Sequence, residues 1–181
     1  MQLDYEVRVA RLEDAAGVDT LLQASYPRLM ASSYEAESLA PALKLMTKAN
    51  PALLRSGTYY VAELPTGLAV GCGGWTLERP GTATVEPHLG HIRHFATHPD
   101  WTGRGIGRAI YRLCESTARS AGVRVFECYS SLNAEKFYSA LGFERIREID
   151  IEFRPNVLLR AVLMRSELKS MATVTKPDAG A

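Results

Sequence analysis

HIRHFATHPDWTGRGIGRAIYRLCESTARSAG, residues 91–122, is the stretch whose reading decides the fold of this chain. An extended run reaches Pro99, a glycine loop Gly103-Arg104-Gly105-Ile106-Gly107 follows, and an amphipathic helix begins from about Gly105. A turn that points backbone N–H groups outward, with the positive end of a helix dipole behind them, attracts an anion, here one of pyrophosphate size. The glycines let the backbone approach that anion and take dihedrals that a Cβ forbids. Arg104 and Arg108 add two positive charges beside it. Along the helix, Ile106, Ile110, Leu113, Cys114 and Thr117 recur on an inward face and Arg108, Arg112, Glu115 and Arg119 on an outward one.

Spacing separates this loop from other glycine loops. A Walker A loop needs G-x-x-x-x-G-K-[ST], which is absent, so ATP or GTP hydrolysis drops out. A dinucleotide fingerprint needs a third glycine where the chain has Arg108. Glu127, placed where a ribose-binding acid would sit, keeps that alternative open at this point.

Composition agrees with one soluble globular domain: 181 residues, 46% hydrophobic and 23% charged. With 21 basic and 20 acidic residues the formal net charge is +1, which offers no global field toward nucleic acid or a membrane. Cys72, Cys114 and Cys128 are odd in number and lack CxxC spacing, and no secretory segment opens the chain, so a reducing cytoplasm is expected. No apolar run reaches the roughly 18 residues that span a bilayer.

Outward from the loop, alternation marks a strand at 5–10, and helical spacing follows through Ala15, Val18, Leu21 and Leu22. A second helix is expected over 34–49, ending before Pro51. Residues 58–63 and 68–77 read as a hairpin across Pro65-Thr66-Gly67, and 78–88 as a loop long enough to fold over a site. A strand at 123–129 precedes a helix at 134–141, N-capped by Asn133 and closed by Gly142. Strands at 143–153 and 158–165 complete the pattern, which places one domain over 1–168 and an expected disordered tail over 169–181.

Two stretches carry a resemblance. Thr102-Gly103-Arg104-Gly105-Ile106-Gly107 is similar to motif A, Q/R-x-x-G-x-G/A, of the GCN5-related N-acetyltransferases, with Thr102 in place of the usual Gln or Arg. SLNAEKFYSALGF, residues 131–143, resembles the N-x-x-A-x-x-[FL]-Y-x-x-x-G-F helix of the same family, with Ser131 in the Asn position and Asn133 nearby. The resemblance covers residues 89–145. It implies an α/β (α+β) domain: a mixed central sheet of about seven strands, splayed between strands 4 and 5, with about four flanking helices. It further implies acetyl-coenzyme A as acyl donor and direct transfer to a primary amine of a small molecule, peptide or protein. Phe95, Ala96 and Thr97 would pair with the pantetheine arm, and Thr102, Gly103, Arg104, Gly105, Ile106, Gly107, Arg108 and Asn133 would complete the cofactor site. A homodimer is left open, and so is a non-catalytic acyl-coenzyme A sensor or interaction module on the same fold.

Transfer to an amine needs a base, because an ammonium with a pKa near 10 is about a thousandfold too protonated at pH 7. His91 lies eleven residues before Thr102, the spacing at which related enzymes carry a glutamate or a histidine, and is the expected base. Arg93, on the same strand face by period two, is expected to favour its neutral form. His94, His88 and Glu86 are the alternatives, and a plain polar strand residue is the bland reading of His91. Tyr138 occupies the tyrosine of the second signature and is the expected acid for the leaving thiolate, with Ala96 or Thr97 supplying an oxyanion N–H. Histidines 88, 91, 94 and 98 are not expected to hold a metal, since His91 and His94 point to opposite faces. Cys114 and Cys128 read as core. The acceptor side is expected to draw on Tyr26, Tyr34 and Trp75, while Glu144, Glu148, Asp150 and Glu152 read as the wet face of a strand.

Overall fold

A computed structural model describes residues 5–168. The expected tail at 169–181 lies outside the described residues. Seven strands form one sheet in the order β1-β2-β3-β4-β5-β7-β6. In chain order they are β1 (Glu6–Val9), β2 (Tyr59–Glu63), β3 (Ala69–Thr76), β4 (Leu89–Thr97), β5 (Val125–Ser131), β6 (Glu144–Arg154) and β7 (Val157–Glu167). The helices are α1 (Ala15–Met30), α2 (Ala36–Met46), α3 (Pro51–Arg55), α4 (Ile106–Ser120) and α5 (Glu135–Ser139). Among the described residues no helix is long and apolar enough to cross a membrane.

Every strand pair is antiparallel except β4 with β5, which run parallel for three residue pairs only, Leu89 with Val125, Gly90 with Phe126 and His91 with Glu127. Beyond His91 the two strands part, and the sheet opens between strands 4 and 5 as the sequence implies.

Each face of the sheet carries its own core. On one face, Ile106, Ile110, Tyr111, Cys114 and Ala118 of α4 pack on Val70, Trp75, Ile92, Phe126 and Met164. On the other, Val18, Leu21 and Leu22 of α1, with Leu53 and Leu54 of α3, pack on Tyr59, Val61, Cys72 and Ala96. Glycine in β3 sets how closely these layers approach: a Cβ at Gly71 would collide with Ile106, and one at Gly73 with the Phe95 ring.

Four expectations need correction. On α4, Tyr111 takes the inward place given to Leu113, which is 36% exposed; a helix turns 100° per residue, and 111 falls next to 118, beyond 114, on the buried arc. Pro51 opens α3 instead of merely ending the preceding helix, because proline is pre-set for a first helical position and Asn50 accepts from Ala52 N–H at 2.9 Å. The helix expected at 134–141 shrinks to five residues behind a 3₁₀ turn at Leu132–Ala134, and Ala134 rather than Asn133 is its N-cap. Strand alternation breaks in β4: Gly74 pairs with Arg93 and Cys72 with Ala96, so His94 and Phe95 together oppose Gly73 in a bulge, with His94 at φ 53°.

Candidate active site

The glycine loop is shaped as the sequence requires. Gly103 and Gly105 sit in the left-handed region at φ 72° and 79°, and Gly105 is the N-cap of the 15-residue helix α4. The first N–H groups of α4 have no partner within the helix and face outward with its positive dipole end. Gly107 sits in a tight place: a Cβ there would lie 3.0 Å from the Phe137 ring and 3.8 Å from Thr97 Oγ1.

This loop closes one end of a cleft of about 950 Å³ that occupies the opening between β4 and β5. Its walls include Phe95, Ala96 and Thr97 of β4, Thr102, Gly103, Gly105, Ile106, Gly107 and Arg108 of the loop and helix, and Asn133 and Tyr138 after β5. Every expected cofactor residue therefore stands on the cleft wall except Arg104, whose guanidinium lies over the Trp101 ring at 4.5 Å from its centroid. Thr102 turns its hydroxyl onto Pro99 O at 3.1 Å. His98 N–H bonds Val70 O toward β3, so by alternation Thr97, and not Ala96, directs its N–H into the opening.

The bulge is fastened from the α1 face. Tyr26 of α1 donates to Phe95 O and Tyr59 of β2 to His94 O, each at 3.0 Å. The His94 ring donates Nε2–H to Met46 O at 2.8 Å, which fixes its tautomer, and burial holds it below the ordinary imidazole range. Tyr138 is 6% exposed, its ring bracketed by Phe137 and Phe143 at centroid distances of 5.1 and 5.4 Å. Burial keeps its phenol protonated far above neutral pH.

His91 is 2% exposed and off the cleft wall, at the last β4–β5 pair, with Nδ1 3.8 Å from Glu127 Oε2. Its Nε2 is buried and without a hydrogen-bond partner among the described residues. Burial first, and the guanidinium of Arg79 second, push its pKa below the ordinary value against the pull of Glu127; Arg93, the neighbour singled out from sequence, ranks after both.

Glu127 is no ribose ligand. It is buried and bonded to Arg165 of β7 and to Arg79 of the β3–β4 loop. Arg79 also reaches Tyr129 Oη at 3.3 Å and the Glu86 carboxylate, which ties that loop to the sheet. Nothing in the local sequence marks Arg79 for this, whereas Tyr129 was accessible by period two from Glu127. Trp75 leaves the acceptor list: at 4% exposure it lies in the α4-side core, its Nε1 donating to Thr117 Oγ1 at 2.9 Å. Tyr34 bonds Arg160 O and Leu132 N–H, and Tyr26 lines the cleft. Glu148 and Asp150 of β6 pair with Arg145 and Arg160 on the exposed face. Among the described residues no three His, Cys, Asp or Glu side chains converge as a metal centre requires.

A mixed sheet opened at one parallel pair, with a glycine-capped helix at the head of the opening, defines an acyl-coenzyme A transferase fold. The chain belongs to the GNAT acetyltransferases: the family model for the acetyltransferase (GNAT) domain matches residues 55–145. Among solved structures, a GCN5-related N-acetyltransferase from Rhodopseudomonas palustris superposes with a TM-score of 0.73 at 23% identity, over 93% of this chain and 98% of that one. The PaiA N-acetyltransferase from Thermoplasma acidophilum, in complex with coenzyme A, gives 0.67 at 15% identity, over 91% and 99%. The ribosomal-protein-S18-alanine N-acetyltransferase from Escherichia coli gives 0.58 at 14%, over 95% and 98%. At these identities the likeness is one of fold.

Proposed function

We propose that this protein transfers an acetyl group from acetyl-coenzyme A directly to a primary amine while both are bound. The observation that carries the reading is the continuity of the cleft: one wall runs from the anion-binding glycine loop, past the open edge of β4, to Tyr138. The residues present fit the donor. Loop amides at 103, 105 and 107 and the Arg108 guanidinium suit a pyrophosphate, the glycine at 107 leaves room that a Cβ would fill, and the open edge at Thr97 offers backbone partners as an added strand would find them. Coenzyme A supplies the activated thioester when bound.

The chain's own groups then divide the work. Thr97 N–H, turned into the opening, donates to an oxygen there. Tyr138 holds a proton at Oη at neutral pH and delivers it to the departing thiolate. His91 is neutral and is the proposed acceptor of the ammonium proton; its place behind the cleft wall makes that transfer run through solvent rather than by direct contact. Direct transfer is favoured over an acetyl-cysteine route because burial pushes the thiol of Cys128, the cysteine on the cleft wall, well above its ordinary pKa and keeps it a poor nucleophile.

The test is a screen of amines, amino acids and peptides with acetyl-coenzyme A, following free thiol. Amine-dependent release supports the reading; coenzyme A binding with no release for any acceptor overturns it in favour of a binding module.

A further inference from the structure

The cleft has two halves of different chemistry. Toward the glycine loop it is bounded by backbone and by its two permanently charged side chains, Arg108 and Lys136. Lys136 belongs to that end because its neighbour in α5, Phe137, stands against Gly107. The other half lies on the α1 face of the sheet. There α1 turns Tyr26, Leu29 and Met30 to the cleft, positions i, i+3 and i+4 of one helical stripe. Met46, the last residue of α2, joins them. It packs, as Tyr26 does, against the cluster around the buried Met30, and its carbonyl accepts from His94 Nε2–H at 2.8 Å. The His94 ring in turn stands 5.7 Å from the Tyr26 ring, centroid to centroid. These contacts join two helices and the β4 bulge into one wall that runs on to the opening at Thr97.

Every polar side chain on this half is uncharged. Ser25, Ser32 and Ser33 bring hydroxyls, and the Tyr26 hydroxyl is committed to Phe95 O. Burial holds the His94 imidazole below its ordinary range, so it is neutral at physiological pH. Among the described residues the cleft wall holds no Asp or Glu. A second ammonium on the acceptor would leave water here with no carboxylate to meet it, and a carboxylate would leave water with no cation beside it. A hydrocarbon body gains instead about two- to fourfold in binding for each CH2 it buries. The unbranched thioethers of Met30 and Met46 adapt to such a body better than a branched side chain would.

Resting on the acetyltransfer reading, we propose that the acyl acceptor is a primary monoamine with an uncharged, apolar body, and that the wall formed by Tyr26, Leu29, Met30 and Met46 holds that body while the amine points to the opening beside the β4 bulge. Polyamines and free amino acids, which bring a further charge to this half, are the acceptors it selects against.

The experiment measures kcat/KM from thiol release at saturating acetyl-coenzyme A, corrected for the fraction of each amine that is neutral. Ethylamine, butylamine and hexylamine read chain length. Pentylamine against cadaverine reads a second ammonium, and phenethylamine against L-phenylalanine reads a carboxylate. The wild type is expected to gain about two- to fourfold per CH2 along the series, and to favour pentylamine and phenethylamine over their charged counterparts by about tenfold or more. Met46→Ala should flatten the chain-length gain through the acceptor KM. Leu29→Glu should raise cadaverine relative to pentylamine, because it places a carboxylate on the wall. The two changes lie on different helices, and calorimetric titration with coenzyme A accompanies each to show that the variant is folded. No gain with chain length, a preference for cadaverine or L-phenylalanine, turnover of peptide N-termini but of no monoamine, or a selectivity unmoved in both variants would each overturn the inference while leaving acetyl transfer standing. Failure of the wild type to bind coenzyme A, or no amine-dependent thiol release with any acceptor, would instead overturn the acetyltransfer reading beneath it.

Discussion

Replacing Gly107 by alanine separates what the glycine loop does for ligand from what it does for folding. Gly107 lies in the first turn of α4 with ordinary helical geometry, and its missing Cβ would stand 3.0 Å from Phe137 and 3.8 Å from Thr97 Oγ1, both on the cleft wall. Helix propensity favours alanine by up to about 1 kcal/mol, and displacing a half-buried ring by a few tenths of an ångström costs a similar amount, so stability should stay within about 1 kcal/mol of wild type. A pyrophosphate seated on the loop backbone, as proposed, would have no such freedom to give way to a methyl group at 107. An overpacking cost of about 1–3 kcal/mol translates into a roughly 5- to 150-fold loss of coenzyme A affinity. Gly105→Ala provides the opposite case: nothing lies within 4 Å of its Cβ position, but φ is 79°. That left-handed conformation costs an alanine about 1–2 kcal/mol, which lowers Tm by roughly 2–8 °C. Thermal melts paired with calorimetric titration of coenzyme A read both quantities. Wild-type affinity in a folded Gly107→Ala protein would refute the reasoning.

Tyr138→Phe should lower kcat by about 10- to 1000-fold, the range of a general acid, with coenzyme A affinity unchanged; pre-steady-state thiol release checks this. The kcat/KM profile with a good amine should rise with pH through an inflection below 6.5, because burial and Arg79 hold His91 neutral; His91→Ala should abolish that inflection and Arg79→Gln should move it upward, as pH-rate measurements will show. Stability should fall as pH drops through about 6.5 toward the lowered pKa values of His91 and His94, since the unfolded chain takes up protons that the folded histidines refuse. Denaturant titrations across that window should show a shallower fall when either histidine is replaced by glutamine.

The sequence carried the fold through local signals of high contrast. Alternating strands, the 3.6-residue spacing in α4 and the punctuating glycines name nearly every element, and the opening between strands 4 and 5 followed from the two signatures. The bulge at His94 was hidden because its cause is Gly73 on the neighbouring strand, whose bare backbone admits Phe95. Trp75 reads as an acceptor-side aromatic until Thr117 of α4, distant in sequence, is seen to accept its indole N–H. In the cleft, the places of wall residues within or beside a motif were legible, as at 95–97 and, Arg104 apart, 102–108. His91, by contrast, has surroundings set by Arg79 and Glu127, which arrive from a loop and from β5. Charge partners brought together by tertiary structure leave no periodic mark.

The most direct test of the central claim is simultaneous quantitation, by mass spectrometry and thiol assay, of acetylated amine and free coenzyme A from the wild-type protein in a single-turnover reaction. The account predicts that both appear at the same rate and in equal amounts, only when acceptor is present, and with no acetylated protein accumulating beforehand. Acetyl-enzyme that forms before the amine is added, or thiol release that ignores the amine, would contradict it.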